Sequence, residues 1–335
     1  MCSTGSFGHY PSRLSSASLF RKHLSRPAFR SVSPNMMSSI VSAAISKEPV
    51  ESPSSIDQLN VQVLCNEGRL VTLKAGIEGE GTQLQGCEVL FENGCVGVVL
   101  YQRTPLLFVL ADDSSHITKV AAAAEKQQIF GSNAILNLKT NKTIPVGNEL
   151  VGRVVNFKGI PLDGAELTAR ATRAIFSPST LQSDLATISK PLHTGFTAID
   201  ALTPIGRGQN MLLIGSENLG RQEIVIDTIL NSGREGVKCI YVSTDGKHDE
   251  VLQRLRALDA MKHTSVVVAD ASDGESASLG ESVLAAAAGC SIAEFWRREG
   301  QDTLVVVNNI EAHRRFWDYT DRTLMQVTVP SRHVS

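Results

Sequence analysis

None of the six cysteines, Cys2, Cys65, Cys87, Cys95, Cys239 and Cys290, stands in C-x-x-C spacing with another, and they are too sparse for a secreted disulfide scaffold. They read as reduced thiols in a non-secretory compartment, and a zinc site is not expected. Also missing is any apolar run near the roughly 18 to 20 residues that would span a bilayer; the most apolar stretch, "SVLAAAAGCSIAEFW", is Ala-rich and already contains Glu294. An integral membrane protein is therefore not expected. No acidic residue precedes Glu48, whereas Arg13, Arg21, Lys22, Arg26 and Arg30 lie among many serines. That is the composition of an organelle-targeting presequence, expected over residues 1–50 and removed on import. The stretch "SLFRKHLSRPAFRSV" can wind into a basic amphipathic helix, which favours the mitochondrion, with the chloroplast as the alternative. A disordered basic tail is the plainer reading.

The 335 residues are 42% hydrophobic and carry a formal net charge of -2, enough chain for two domains, each with its own core. The charge implies no polyanion, so nucleic acid is not an expected partner. No internal repeat is visible. From Gln58 to about residue 143, short β-rich runs are punctuated by Gly and Asn: "VQVLCN", "RLVTLKAGI", "CEVLFENG", "CVGVVLYQ" and "PLLFVLAD". They predict a small antiparallel barrel or sandwich. A candidate hinge follows at Asn141 to Gly147, then "VGRVVNFKGIPLDG", a strand running into a Gly/Pro turn.

Residues 144–330 alternate strand and helix patterns, with 331–335 left as a tail. "NMLLIGS" reads as a buried strand and "RQEIVIDTILNSG" as a helix ending at Gly233. "VKCIYVSTD" reads as a strand, and "HDEVLQRLRALDAM" as an amphipathic helix with its apolar face at Val251, Leu255 and Leu258. The strand "TSVVVADAS", a helix within "LGESVLAAAAGCSIAEFWRRE" and the strand "DTLVVVNN" complete an α/β pattern, a mostly parallel sheet covered on both faces. Ligands of such sheets sit at the carboxyl ends of the strands, so residues 215–222, Ser243 to Lys247, Asn308 and Asn309 are expected to converge.

Residues 215–222, Gly215, Ser216, Glu217, Asn218, Leu219, Gly220, Arg221 and Gln222, have the G-x-x-x-x-G spacing of a phosphate-binding loop but not its following Lys and Ser or Thr. The loop's backbone role, N–H groups presented at a helix N-terminus, needs only the glycines. Its side-chain role has changed. Arg221 keeps the charge of a lysine but brings a wider planar fork, and Gln222 lacks the hydroxyl that would ligate magnesium. Glu217 adds a like charge; at about 5 Å and an effective dielectric of about 20 this costs about 3 kcal/mol before screening. The plainer reading is a tight strand-to-helix turn kept for packing. His193, His248, His263 and His313 stand singly and read as surface or packing residues, and Trp296, Phe316 and Trp317 as core or interface anchors.

"HTGFTAIDALTPIGRGQNMLLIG", from His193 to Gly215, resembles the segment that leads into the phosphate loop in the alpha subunit of the rotary ATP synthase. "IPVGNELVGRVVNFKGIPLDG" and "DAMKHTSVVVADASD" are similar to two further stretches of that family, the second typical of alpha rather than beta subunits. The barrel matches more loosely, and the likeness covers about residues 60 to 325. It implies a P-loop, RecA-like domain after an N-terminal β-barrel, beta-type subunits as partners, and a place at the inner organelle membrane through the complex. Where the family carries an Asp at the end of the strand opposite the loop, this chain has Asn308 and Asn309. A neutral amide is a poor substitute for the carboxylate that holds the metal's water shell. ATP or ADP binding is therefore expected to be weak or lost, tight Mg2+ binding is not expected, and no residue is assigned a catalytic role. In "STDGKHD", Lys247 is the one point of correspondence with a further nucleotide-contacting turn, with Asp245 an acidic departure. The likeness ends before the family's inter-subunit arginine and its helical carboxy-terminal domain, so torque generation is not expected of a chain of this length. Two roles fit: a non-catalytic alpha-like component of the synthase, or an assembly factor that engages beta-type subunits by mimicking alpha.

Overall fold

The protein is described from a computed structural model, which covers residues 57–76, 83–112, 130–177, 187–216, 219–269 and 275–328. The expected presequence, the tail, and Glu217 and Asn218 lie outside the described residues. Six antiparallel strands, β1 (Gln58–Glu67), β2 (Leu70–Lys74), β3 (Cys87–Phe91), β4 (Val96–Arg103), β5 (Leu106–Ala111) and β6 (Asn133–Asn141), close into a barrel in the order β1-β2-β5-β4-β3-β6. The sequence left barrel and sandwich open; closure decides for the barrel and leaves no free edge.

β5 is buried at every position, and its period of two shows why. Leu107, Val109 and Ala111 point into the barrel with Val71, Leu73, Val89 and Phe91, whereas Leu106, Phe108 and Leu110 face outward. That outward face is covered by helices of the second half, so barrel and sheet share one hydrophobic core. The expected hinge is instead a strand, β7 (Thr143–Val146), paired with β9 (Ala171–Ala174). Ile144 and Val146 need cover from water, and pairing puts both into that shared core.

Beyond it, β8 (Val154–Asn156), β12 (Lys238–Ser243), β13 (Thr264–Val268) and β14 (Thr303–Asn308) form a wholly parallel sheet, β14-β12-β13-β8. Between β9 and β12 lie the two-residue strands β10 (Pro191–Leu192) and β11 (Ile205–Gly206), with the short helix α1 (Thr197–Leu202) between them. Helices α2 (Arg221–Arg234) and α3 (Asp249–Ala257) cover one face of the sheet, where Ile226, Ile229, Val251 and Leu255 meet Cys239, Tyr241 and Val266. Helices α4 (Glu275–Arg298) and α5 (Glu311–Thr328) cover the other, with Ala285, Ala288, Ile292 and Trp296 against Ile240, Val242 and Val267. The expected sheet with both faces covered is thus present.

α4 joins the halves. A Cβ on Gly289 would lie 2.5 Å from Val242 Cγ2, and one on Gly280 2.9 Å from Leu110 Cδ1, so small residues let the helix approach sheet and barrel alike. Arg69, beside β2, donates to Glu281 of α4 at 2.9 Å with both side chains buried. Trp296, also buried, donates its indole N–H to the Gly147 carbonyl at 3.2 Å.

Three local expectations need correction. Residues 209–216 form no strand: Leu212 is 65% and Ile214 86% exposed, because an extended run becomes a strand only when its backbone pairs, which composition does not report. Leu258 lies past the end of α3 and is exposed, its expected place on the apolar face being filled by Leu252. Gly233 does not end α2; the helix runs to Arg234, and Gly236 is the left-handed residue beyond it (φ 77°). Gly233 is small for another reason, since a Cβ there would lie 2.0 Å from the His263 ring.

Candidate functional site

α2 starts at a bare turn. Gly220 is its N-cap in the left-handed region (φ 78°), with no side chain capping the first amides. Those amides, with the helix dipole behind them, are the donors that a phosphate loop offers. Arg221 does not project from the turn; its Cδ would lie 3.5 Å from a Cβ on Gly215, so the side chain folds back over that glycine. Its Nε is buried there without a hydrogen-bond partner.

A residue that sequence reasoning passed over occupies the same helix end. Glu223, in the first turn, accepts from Arg254 of α3 at 3.0 Å. A bond from its own backbone N–H, and then the Arg254 guanidinium, hold its carboxyl below the usual glutamate range. The signal was an acid in the first turn of a helix, a common stabilising position that also places negative charge where phosphate charge would lie.

The carboxyl ends of β12 and β14 meet as expected. Thr244 Oγ1 lies 2.7 Å from the Asn308 carbonyl and 2.6 Å from that of Asn309. Asn309 Nδ2 donates to Asp245 Oδ2 at 2.8 Å, while the Lys247 N–H and Ser243 Oγ reach Asp245 Oδ1, each at 3.1 Å. Asn309 is left-handed (φ 59°), a conformation Asn tolerates better than most residues. The carboxylate at this edge therefore comes from the bend that follows β12, and both its oxygens are engaged by neighbours. Chemically the edge holds one occupied acid and two neutral amides. No cluster of three or more His, Cys, Asp or Glu side chains placed to hold a metal occurs among the described residues.

Among the described residues, no hydrogen bond or ion pair joins Gly215, Ser216, Leu219, Gly220, Arg221 or Gln222 to Ser243–Lys247, Asn308 or Asn309. Hydrogen bonds thus join the β12 and β14 ends, two of the three parts expected to converge. The histidines play local roles: His193 pairs with Glu235 at 2.8 Å, His248 with the Gly246 carbonyl at 2.8 Å, and His263 with the Ile229 carbonyl at 3.2 Å. Phe316 is buried beside Trp317, which meets Tyr101 of the barrel edge-on at 4.6 Å between ring centres.

A barrel leading into a parallel sheet, with a Gly-x-x-x-x-Gly turn at the start of a helix, defines a protein of the P-loop class. The family model described as "ATP synthase alpha/beta family, nucleotide-binding domain" matches residues 195–317. Similar chains include "ATP synthase subunit alpha" of Teredinibacter turnerae, 34% identical over 288 residues, which are 83% of this chain and 52% of the relative. "ATP synthase subunit alpha 2" of Legionella pneumophila (strain Corby) is 35% identical over the same shares, and "ATP synthase subunit alpha" of Buchnera aphidicola is 33% identical over 74% of this chain and 47% of its own. The chain belongs to the ATP synthase alpha subunit family. It spans about half the length of the curated relatives it matches.

Proposed function

We propose that the chain is a non-catalytic, alpha-like component of a proton-translocating ATP synthase, paired with beta-type subunits at the inner mitochondrial membrane and with weak or lost adenine-nucleotide binding. Membership of the alpha family supports the first part. The observation that carries the second is the strand end itself, where the Asn308 and Asn309 carbonyls accept from Thr244 and the Asn309 amide donates to Asp245. The charge of Glu223 at the helix start and the folded-back Arg221 act in the same direction.

Native-gel separation of gently solubilised mitochondria, probed for this chain and for the beta subunit, tests the assembly. Migration with the full-size complex is expected. A smaller species shared with beta favours the assembly-factor reading, and a free monomer alone overturns both. Nucleotide is tested by calorimetric titration of the purified chain. ADP and Mg-ATP should bind at least tenfold more weakly than to the variant Arg221→Lys/Gln222→Thr/Asn308→Asp, which restores the ammonium, the hydroxyl and the carboxylate together. Equal affinity in the two proteins would sink the claim that these side chains set the affinity.

A further inference from the structure

Three guanidinium groups meet on one carboxylate oxygen where β9 runs beside the end of α4. Glu294 Oε1 lies 2.8 Å from Arg173 Nη2, 3.0 Å from Arg298 Nη2 and 3.7 Å from Arg297 Nη2. Among the described residues, none of the three arginines forms an ion pair with any other acid. Three positive charges therefore face one negative charge, which leaves a surplus of two.

The dipole of α4 favours cations in its last turn, and that accounts for Arg297 and Arg298. It does not account for Arg173, which reaches the same oxygen from a different element. Arg173 and Glu294 are largely covered, whereas Arg297 and Arg298 are exposed and close the cluster from the solvent side. The Nε of Arg173 is buried and, among the described residues, donates to nothing. The frame is fixed: β9 is paired with β7, and Ser291 of α4 donates to the Ala174 carbonyl at 3.0 Å. The Ser177 hydroxyl joins the cluster, 3.4 Å from Arg173 Nη2 and hydrogen-bonded to Glu294. A hydroxyl that rotates can serve an acceptor as well as a donor.

Planar guanidinium forks match the oxygens of carboxylates and phosphates, and a surplus of two charges is balanced by a dianion, not by one more carboxylate. We propose that the cluster between β9 and α4 is a phosphate-binding site, which takes a phosphate dianion, free or as the monoester of a small molecule, between Arg173, Arg297 and Arg298. Glu294 is the internal carboxylate with which that anion competes. The site shares no residue with the loop at 215–222, so its failure would leave the nucleotide reading untouched.

The test is calorimetric titration of the full chain with inorganic phosphate and, separately, with glycerol 3-phosphate, at about pH 8 where both are dianions and with ionic strength held by potassium chloride. Saturable binding to the parent is expected, weakened at least tenfold by Arg173→Gln and by Arg298→Gln. Glu294→Gln should tighten it about tenfold, because the competing charge is gone. That variant separates a site from a clamp: arginines that only pin α4 to β9 would leave affinity unmoved while the urea midpoint falls. Arg298 is exposed, so its substitution should leave the urea midpoint within error of the parent. Tighter binding of the glycerol ester would assign the site to an organic monoester, and tighter binding of the inorganic ion to free phosphate. Absence of saturable binding overturns the proposal, and so does binding that survives both arginine substitutions.

Discussion

Asp163 grips Arg153 with both carboxylate oxygens, at 2.6 and 2.8 Å, and also accepts the backbone N–H groups of Val154 and Ala165, at 3.3 Å each. The bond from Arg153 is the main reason that its carboxyl sits at about 2. An unfolded aspartate titrates near 3.9, so this group binds more protons unfolded than folded. Its contribution is complete above about pH 4 and is lost as pH falls from there through about 2. Urea midpoints measured between pH 5 and pH 2.5 should fall steeply for the parent and less steeply for Asp163→Asn; parallel curves would contradict this. Cys239 offers a second check at one residue. Burial pushes its thiol up to about 12, so it stays protonated and should resist iodoacetamide until the protein is unfolded.

Among the elements, α4 makes the sharpest demand on its sequence. A side chain at position 289 has no room against Val242, so Gly289→Val should destabilise by about 1–3 kcal/mol through overpacking, read as a lower urea midpoint with unchanged slope. A silent substitution would mean that the helix can lift from the sheet. The helix itself was legible in the sequence, and so were β1 to β5 and β12 to β14, because their apolar periods match their burial, whereas β6 was passed over. Other features depended on partners that no local pattern names. His263 explains Gly233, and the boundary of α2 followed from a glycine three residues later. Of the candidate site, the neutral amides and altered loop side chains could be read directly. The clasp of Asp245 on Asn309 and the reach of Arg254 to Glu223 could not, since both join residues more than thirty positions apart.

At the scale of the whole molecule, residues of the barrel, α4, α5 and the parallel sheet lie in one apolar cluster. Far-ultraviolet dichroism and a probe confined to the barrel should therefore report the same unfolding midpoint. Separate transitions would show that the seam through Arg69 and Glu281 is weaker than the core beside it. The chain carries its own optical means of asking. Its two tryptophans sit in opposite surroundings, Trp296 sealed in that cluster and Trp317 38% exposed at the contact of α5 with the barrel. Their fluorescence should divide into a blue-shifted part that iodide cannot quench and a redder part that it can. One spectrum would then follow the centre of the protein and its seam at the same time, without a label.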